Sequence, residues 1–202
     1  MTSLISNLSK TEQKKLFEDL FYLHTAELFS FCDRHRIPYK ILIETNNGEL
    51  KTTRDRDRKK IVLRRITHFL KTGEISKPTV FVKGVVELSG LPDVIGKDDR
   101  IFYGCYEKKN PKMIALLSEL TGGRYRNGAV ARILLRDFWA RGEAPTFVEF
   151  AKVWEKAAEE YSLDQHPEAA YLTDRSKGTA GGDWKTIRDM KASRVLRILE
   201  RL

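Results

Sequence analysis

Leu16, Phe17, Leu20 and Leu23 recur at helical intervals behind Ser9 and Glu12, whose three-residue separation is that of a capping box. This predicts a first helix. A second follows from Thr25 as N-cap, with Leu28, Phe31, Cys32 and His35 on one side, and it must stop before Pro38. Between Tyr39 and Thr53 the pattern changes to β-prone residues around Asn47–Gly48, the signature of a tight hairpin turn. A third helix is predicted from about Asp57 or Arg58 to the glycine stop at Gly73. Its Val62, Leu63, Ile66, Phe69 and Leu70 share one face, and Lys60, Arg64, Thr67 and Lys71 share the other.

Gly73 and Pro78 bracket a short polar link, which reads as a boundary near residue 75. Beyond it, "TVFVKGVVELSG" and "DDRIFYGCYE" read as strands, and "KMIALLSEL", "NGAVARILLRDFWARG" and "TFVEFAKVWEKAAEEY" as helices, the last opened by Thr146 and Glu149 at capping-box spacing. "TDRSKGTAGGD" reads as a mobile loop. In a final helix from Trp184 to Leu202, Trp184, Ile187, Val195, Ile198 and Leu202 share a face, and Arg194, Arg197 and Arg201 share another. The fold class expected is mainly α, a helical bundle-type architecture with one short β-hairpin and one or two further short strands. The domains expected are 1–75, a helical module carrying the hairpin, and 76–202, an α-helical domain.

The 202 residues are enough to bury a core. No stretch reaches the roughly 20 apolar residues of a membrane span, and nothing reads as a signal peptide. Cys32 and Cys105 are too few and too far apart for a disulfide framework. The expectation is a soluble, cytoplasmic protein without membrane partner.

The net charge of +9 is concentrated. Residues 51–73 hold nine Lys/Arg against two Asp/Glu and residues 184–202 hold six against two, whereas residues 76–183 balance at sixteen each. Charge gathered in this way marks a surface for an acidic partner, not general solubilisation.

Catalytic signatures are absent. "GRYRNGAV" from Gly123 has the glycine spacing of a P-loop, but Ala129 and Val130 stand where the phosphate-binding Lys and metal-binding hydroxyl belong. Cys32 and His35 have a metal-like spacing with no second pair to complete a zinc site, and read as a packed Cys and a half-buried His. Motifs of the G-x-S-x-G and H-E-x-x-H kind do not occur. No enzyme activity, metal or cofactor is expected. Arg124 and Arg126, beside glycines and before a helix with no acid in its first turn, offer a place for an anion or else an ordinary interhelical turn. The helices on either side of "GEAP" imitate a helix-turn-helix, but Glu149, Glu155, Glu159 and Glu160 disqualify the second as a recognition helix. Phe147, Phe150, Val153 and Trp154 read as packing residues.

The basic segment carries the functional reading. Arg54, Arg56 and Arg58 alternate with acids, so an extended backbone projects them from one side, toward the N-terminal turn of the third helix. "TAELFSFCDRHRIP" and "KKIVLRRITHFL" make residues 25–73 resemble a SAP-type, helix-extension-helix DNA-binding module, the second matching K-x-x-L-[IL]-x-R-[IL] through Lys59, Val62, Leu63, Arg65 and Ile66. The short turn of that family is replaced here by the hairpin. The resemblance implies attachment to duplex DNA, sometimes RNA, with Lys59 and Arg65 at the nucleic acid. The candidate set is therefore Arg54, Arg56, Arg58, Lys59, Lys60, Arg64, Arg65 and Lys71, with Arg194, Arg197 and Arg201 as a second patch. About five phosphate contacts on duplex DNA predict a salt slope near −4.5. On this reading the second half assists binding or takes a protein partner; the alternative is a scaffold whose basic helix binds an acidic protein, with no nucleic acid.

Overall fold

The computed structural model describes residues 3–107, 109–160 and 181–202. It is mainly helical with a small three-stranded sheet, as the sequence pattern predicts. The chain divides into two compact units, one of residues 1–40, 55–78 and 162–202 and the other of residues 41–54 and 79–161.

In the first unit the Ser9 hydroxyl accepts the Glu12 amide at 3.2 Å while Glu12 Oε2 accepts the Ser9 amide at 2.9 Å. The capping box thus opens α1, Lys10–Asp19. Helix α2 is Thr25–His35, preceded by His24, not Thr25, as N-cap, and the Glu27 carboxylate accepts the His24 amide. It ends at Arg36, held in the left-handed region at φ 57°, two residues before Pro38. Helix α3, Lys59–Thr72, stops at Gly73 with φ 75°, a conformation glycine adopts without steric cost. Its Val62, Ile66, Phe69 and Leu70 enter one core with Leu16, Leu23, Leu28 and Phe31, and Leu63 packs at the edge of that core. The final helix, labelled α7, is Gly181–Leu199, so three residues expected in the glycine-rich loop begin a helix. The remainder of that loop lies outside the described residues. Ala192, Val195, Ile198 and Leu199 of α7 complete the core, whereas Ile187, expected on the same face, is 41% exposed.

In the second unit β1, Lys40–Glu44, pairs in parallel with β3, Val80–Phe81, in the register Leu42 to Val80, and β2, Leu50–Arg56, lies on its other side. The hairpin turn is longer than an Asn-Gly pair alone. Gly48 donates to the Thr45 carbonyl and Thr45 to that of Glu49, both at 2.9 Å, and among these residues only Gly48 has positive φ, +78°. That is a three-residue loop with a left-handed glycine bulge. Helices α4 (Pro111–Leu120), α5 (Ala129–Ala140) and α6 (Phe147–Glu160) close over the buried side of the sheet, around Met113, Leu117, Leu135, Phe147, Phe150 and Trp154. The Thr146–Glu149 capping box forms as read, at 2.8 and 3.2 Å, and Val153, expected to pack, is 38% exposed.

Two expectations are corrected. "DDRIFYGCYE" makes only isolated bridges, Val86 to Tyr103 and Arg100 to Thr146. Gly104, at φ +98°, turns the chain out of the extended conformation before a ladder can grow. The units also do not follow a boundary at residue 75. The hairpin belongs with residues 79–161 because Ile41 and Ile43 bury with Phe81 and Val85, and α7 returns to the N-terminal helices because its apolar face completes their core.

Candidate nucleic-acid interface

The amphipathic pattern of α3 sorts its cations by depth. Lys60, Arg64 and Lys71 are exposed on the side opposite the core, with Thr67 half-buried between them. At 1.5 Å per residue, Lys60 and Lys71 lie about 16 Å apart along the helix axis. Lys71 Nζ rests 4.8 Å over the Phe17 ring, a contact that holds the ammonium group in place while leaving it in water. Among the described residues no carboxylate pairs with Lys60, Arg64 or Lys71. Lys60 and Arg64 therefore stand as unneutralised like charges one turn apart, an arrangement costing about 0.2–0.5 kcal/mol until an anion joins it.

Arg65 is not part of this face. It is 6% exposed, and its Nη1 donates to Asp57 Oδ2 at 2.5 Å and to the Pro38 carbonyl at 2.7 Å. The helical phase forces this: Arg65 follows Arg64 by 100° and precedes the fully buried Ile66. Lys59 is half-buried, and its Nζ donates to the Phe21 carbonyl. Both residues named by the resemblance to SAP-type modules thus spend their donors within the protein. Arg58, the N-cap residue, is also half-buried.

Before the helix, Arg54 and Arg56 occupy exposed positions of β2, separated by half-buried Asp55, as alternation along a strand predicts. The Arg56 guanidinium lies 4.9 Å over Phe29, which in turn stacks on Tyr39 at 4.3 Å. Of the C-terminal set, Arg194 is turned to Asp19, with Nη1 to Oδ2 at 3.4 Å, beside Lys191 at 3.2 Å from the same carboxylate. It acts as a helix anchor. Arg197 and Arg201 are exposed, Arg197 bonded through Nε to the Ser193 carbonyl at 3.3 Å and Arg201, just past the end of α7, through Nε to the Arg197 carbonyl at 3.1 Å.

The other candidates are accounted for structurally. Arg124 is paired with Glu155 and, at 3.4 Å, Glu159, while Arg126 folds onto the Gly123 and Tyr125 carbonyls at 3.4 and 3.1 Å. They line a cleft of about 380 Å³ with the start of α5 and with Trp154, and the two glutamates cancel its positive field. Cys32 is fully buried, and burial, reinforced by the nearby Asp33 charge, pushes its thiol up to about 12. His35 sits against the rings of Phe31 and Phe69 at 4.3 and 5.2 Å, with Nε2 buried and unbonded. Among the described residues no cluster of His, Cys, Asp and Glu could hold a metal ion, and no helix is long and apolar enough to cross a membrane.

No family model matches the chain, and comparison with curated proteins and with solved structures finds no match.

Proposed function

We propose that the protein binds nucleic acid, duplex DNA in preference to RNA, by laying the outer face of α3 against phosphates. The observation that carries this reading is the exposed set Lys60, Arg64 and Lys71 on one side of a helix whose other side is fully committed to the core. Arg56 extends the same basic run at the end of β2. Lysine and arginine directed at phosphate fix position without reading bases. Sequence preference is accordingly weak. Similarity to helix-extension-helix modules favours the same target, but the contacts fall on positions other than Lys59 and Arg65.

Counting as contacts only the three exposed cations on the outer face of α3, Lys60, Arg64 and Lys71, log K falls with log salt at a slope near −2.7 on duplex DNA, shallower than the full candidate set implies. The test is a salt-titrated binding assay on duplex and single-stranded DNA, comparing the native chain with Lys60→Glu/Arg64→Glu. Binding that persists after charge reversal, or a slope near zero, overturns the reading. Retention of a protein partner after nuclease treatment, without DNA binding at low salt, establishes an acidic protein as the ligand instead.

A further inference from the structure

The chain contains two Asn-Gly pairs, Asn47–Gly48 and Asn127–Gly128, both in the second unit. Asparagine before glycine is the most reactive context for deamidation, because no Cβ shields the glycine nitrogen. Local sequence makes the pairs equivalent. The structure separates them.

Asn127 is half-buried at the entry to α5, and its Oδ1 accepts the Tyr106 hydroxyl. Gly128, the N-cap of α5, begins a twelve-residue helix and accepts the Arg132 amide. Rotating the Asn127 amide onto the Gly128 nitrogen requires the Tyr106 bond to break beside a fixed helix start. Asn47 is exposed at the hairpin tip, and among the described residues nothing bonds its side chain. The space a Cβ would fill is empty to 4 Å at Gly48 and at Gly128 alike, so room around the glycine does not separate the two pairs. Each glycine amide is donated to a carbonyl, Gly48 to Thr45 at 2.9 Å and Gly128 to Arg126 at 2.8 Å, so release of the reacting N–H does not distinguish the sites. Freedom of the asparagine side chain does.

We propose that Asn47 is the deamidation site of the folded protein and that Asn127 is protected. Hydroxide takes the proton of the Gly48 amide, and the nitrogen attacks Asn47 Cγ. The bond from Cγ to the side-chain nitrogen breaks, and that nitrogen leaves as ammonia with a proton returned by water. Water then opens the resulting succinimide at either carbonyl, giving aspartate or isoaspartate. One water is consumed, one ammonia is released and no electrons are transferred. The product adds a negative charge to the hairpin, and isoaspartate inserts a methylene into a turn whose length sets the pairing of β1 with β2.

The experiment holds the full chain in mildly alkaline buffer, folded and in parallel unfolded in urea, and follows both peptides by mass spectrometry with an isoaspartyl methyltransferase assay. In the folded chain Asn47 converts about tenfold faster than Asn127, the protection expected from one side-chain hydrogen bond and a fixed backbone. In urea the two rates converge. Asn47→Gln removes the main product, and Tyr106→Phe speeds conversion at Asn127. Equal rates in the folded chain, or no conversion at Asn47 over a period in which the unfolded chain converts at both sites, overturns the proposal.

Discussion

Arg65 and Asp57 form an ion pair in which both side chains are buried, at 7% and 1% exposure, and the same guanidinium holds the Pro38 carbonyl. The pair fastens the approach to α3 onto the chain leaving α2, and the Asp57 amide bonding the Tyr39 carbonyl at 2.7 Å completes the junction. Removing one member leaves a buried charge uncompensated, which costs about 3–5 kcal/mol. Asp57→Ala is therefore strongly destabilising in denaturant unfolding, whereas Lys60→Ala, on the outer face, changes stability by less than about 0.5 kcal/mol.

On the proposed function, Lys71→Gln removes one phosphate contact and leaves the core intact. The slope of log K against log salt becomes shallower by about 0.9 while unfolding is unchanged. The same loss for Arg197→Gln would place α7 within the binding face, and an unchanged slope would leave it outside.

Asp19 is 5% exposed and receives Lys191 and Arg194 from α7. The Lys191 ammonium is held above its usual range: its own burial works against this and is outweighed by the Tyr22 hydroxyl and the Asp19 carboxylate. Asp19→Ala releases the helix. Both cations keep partial access to water, so the cost is nearer 1–2 kcal/mol than that of a sealed pair. Limited proteolysis near the C-terminus should accelerate before global unfolding is detectable.

Burial, with the nearby Arg34 charge second, holds the His35 imidazole below its ordinary pKa of 6.5. The folded state then binds fewer protons than the unfolded chain, so this stabilisation is complete above 6.5 and is lost as pH falls through the interval down to the folded value. His35→Phe, which keeps the ring against Phe31 and Phe69, should flatten that limb of the stability curve measured by thermal unfolding.

Gly104 and Gly48 both have positive φ but differ in surroundings. A Cβ on Gly104 would meet the Glu87 carbonyl oxygen at 2.1 Å, and backbone cannot yield as a side chain would. Gly104→Ala should cost more than about 3 kcal/mol, combining the left-handed strain with the overlap. Gly48→Ala meets only the strain, about 1 kcal/mol. Comparing their denaturant midpoints separates the two effects.

The helices were legible because their evidence is local. Ser9 with Glu12, Thr146 with Glu149, the stop at Gly73 and the apolar ladder of α3 each declare themselves within a few residues. The strands were less so. Val80 and Phe81 become a strand only because Leu42 and Ile43 lie alongside, a pairing across almost forty residues that no window of sequence contains.

In the candidate interface, residue order alone gathers positive charge between residues 51 and 73 and makes one side of α3 cationic, since charge and helical phase are local properties. Tertiary structure decided which cations remain available. Arg65 found Asp57, Lys59 found the Phe21 carbonyl and Arg194 found Asp19, because burial makes an unpaired charge too costly to keep. Lys60, Arg64 and Lys71 stay in water because packing turned their side of the helix outward.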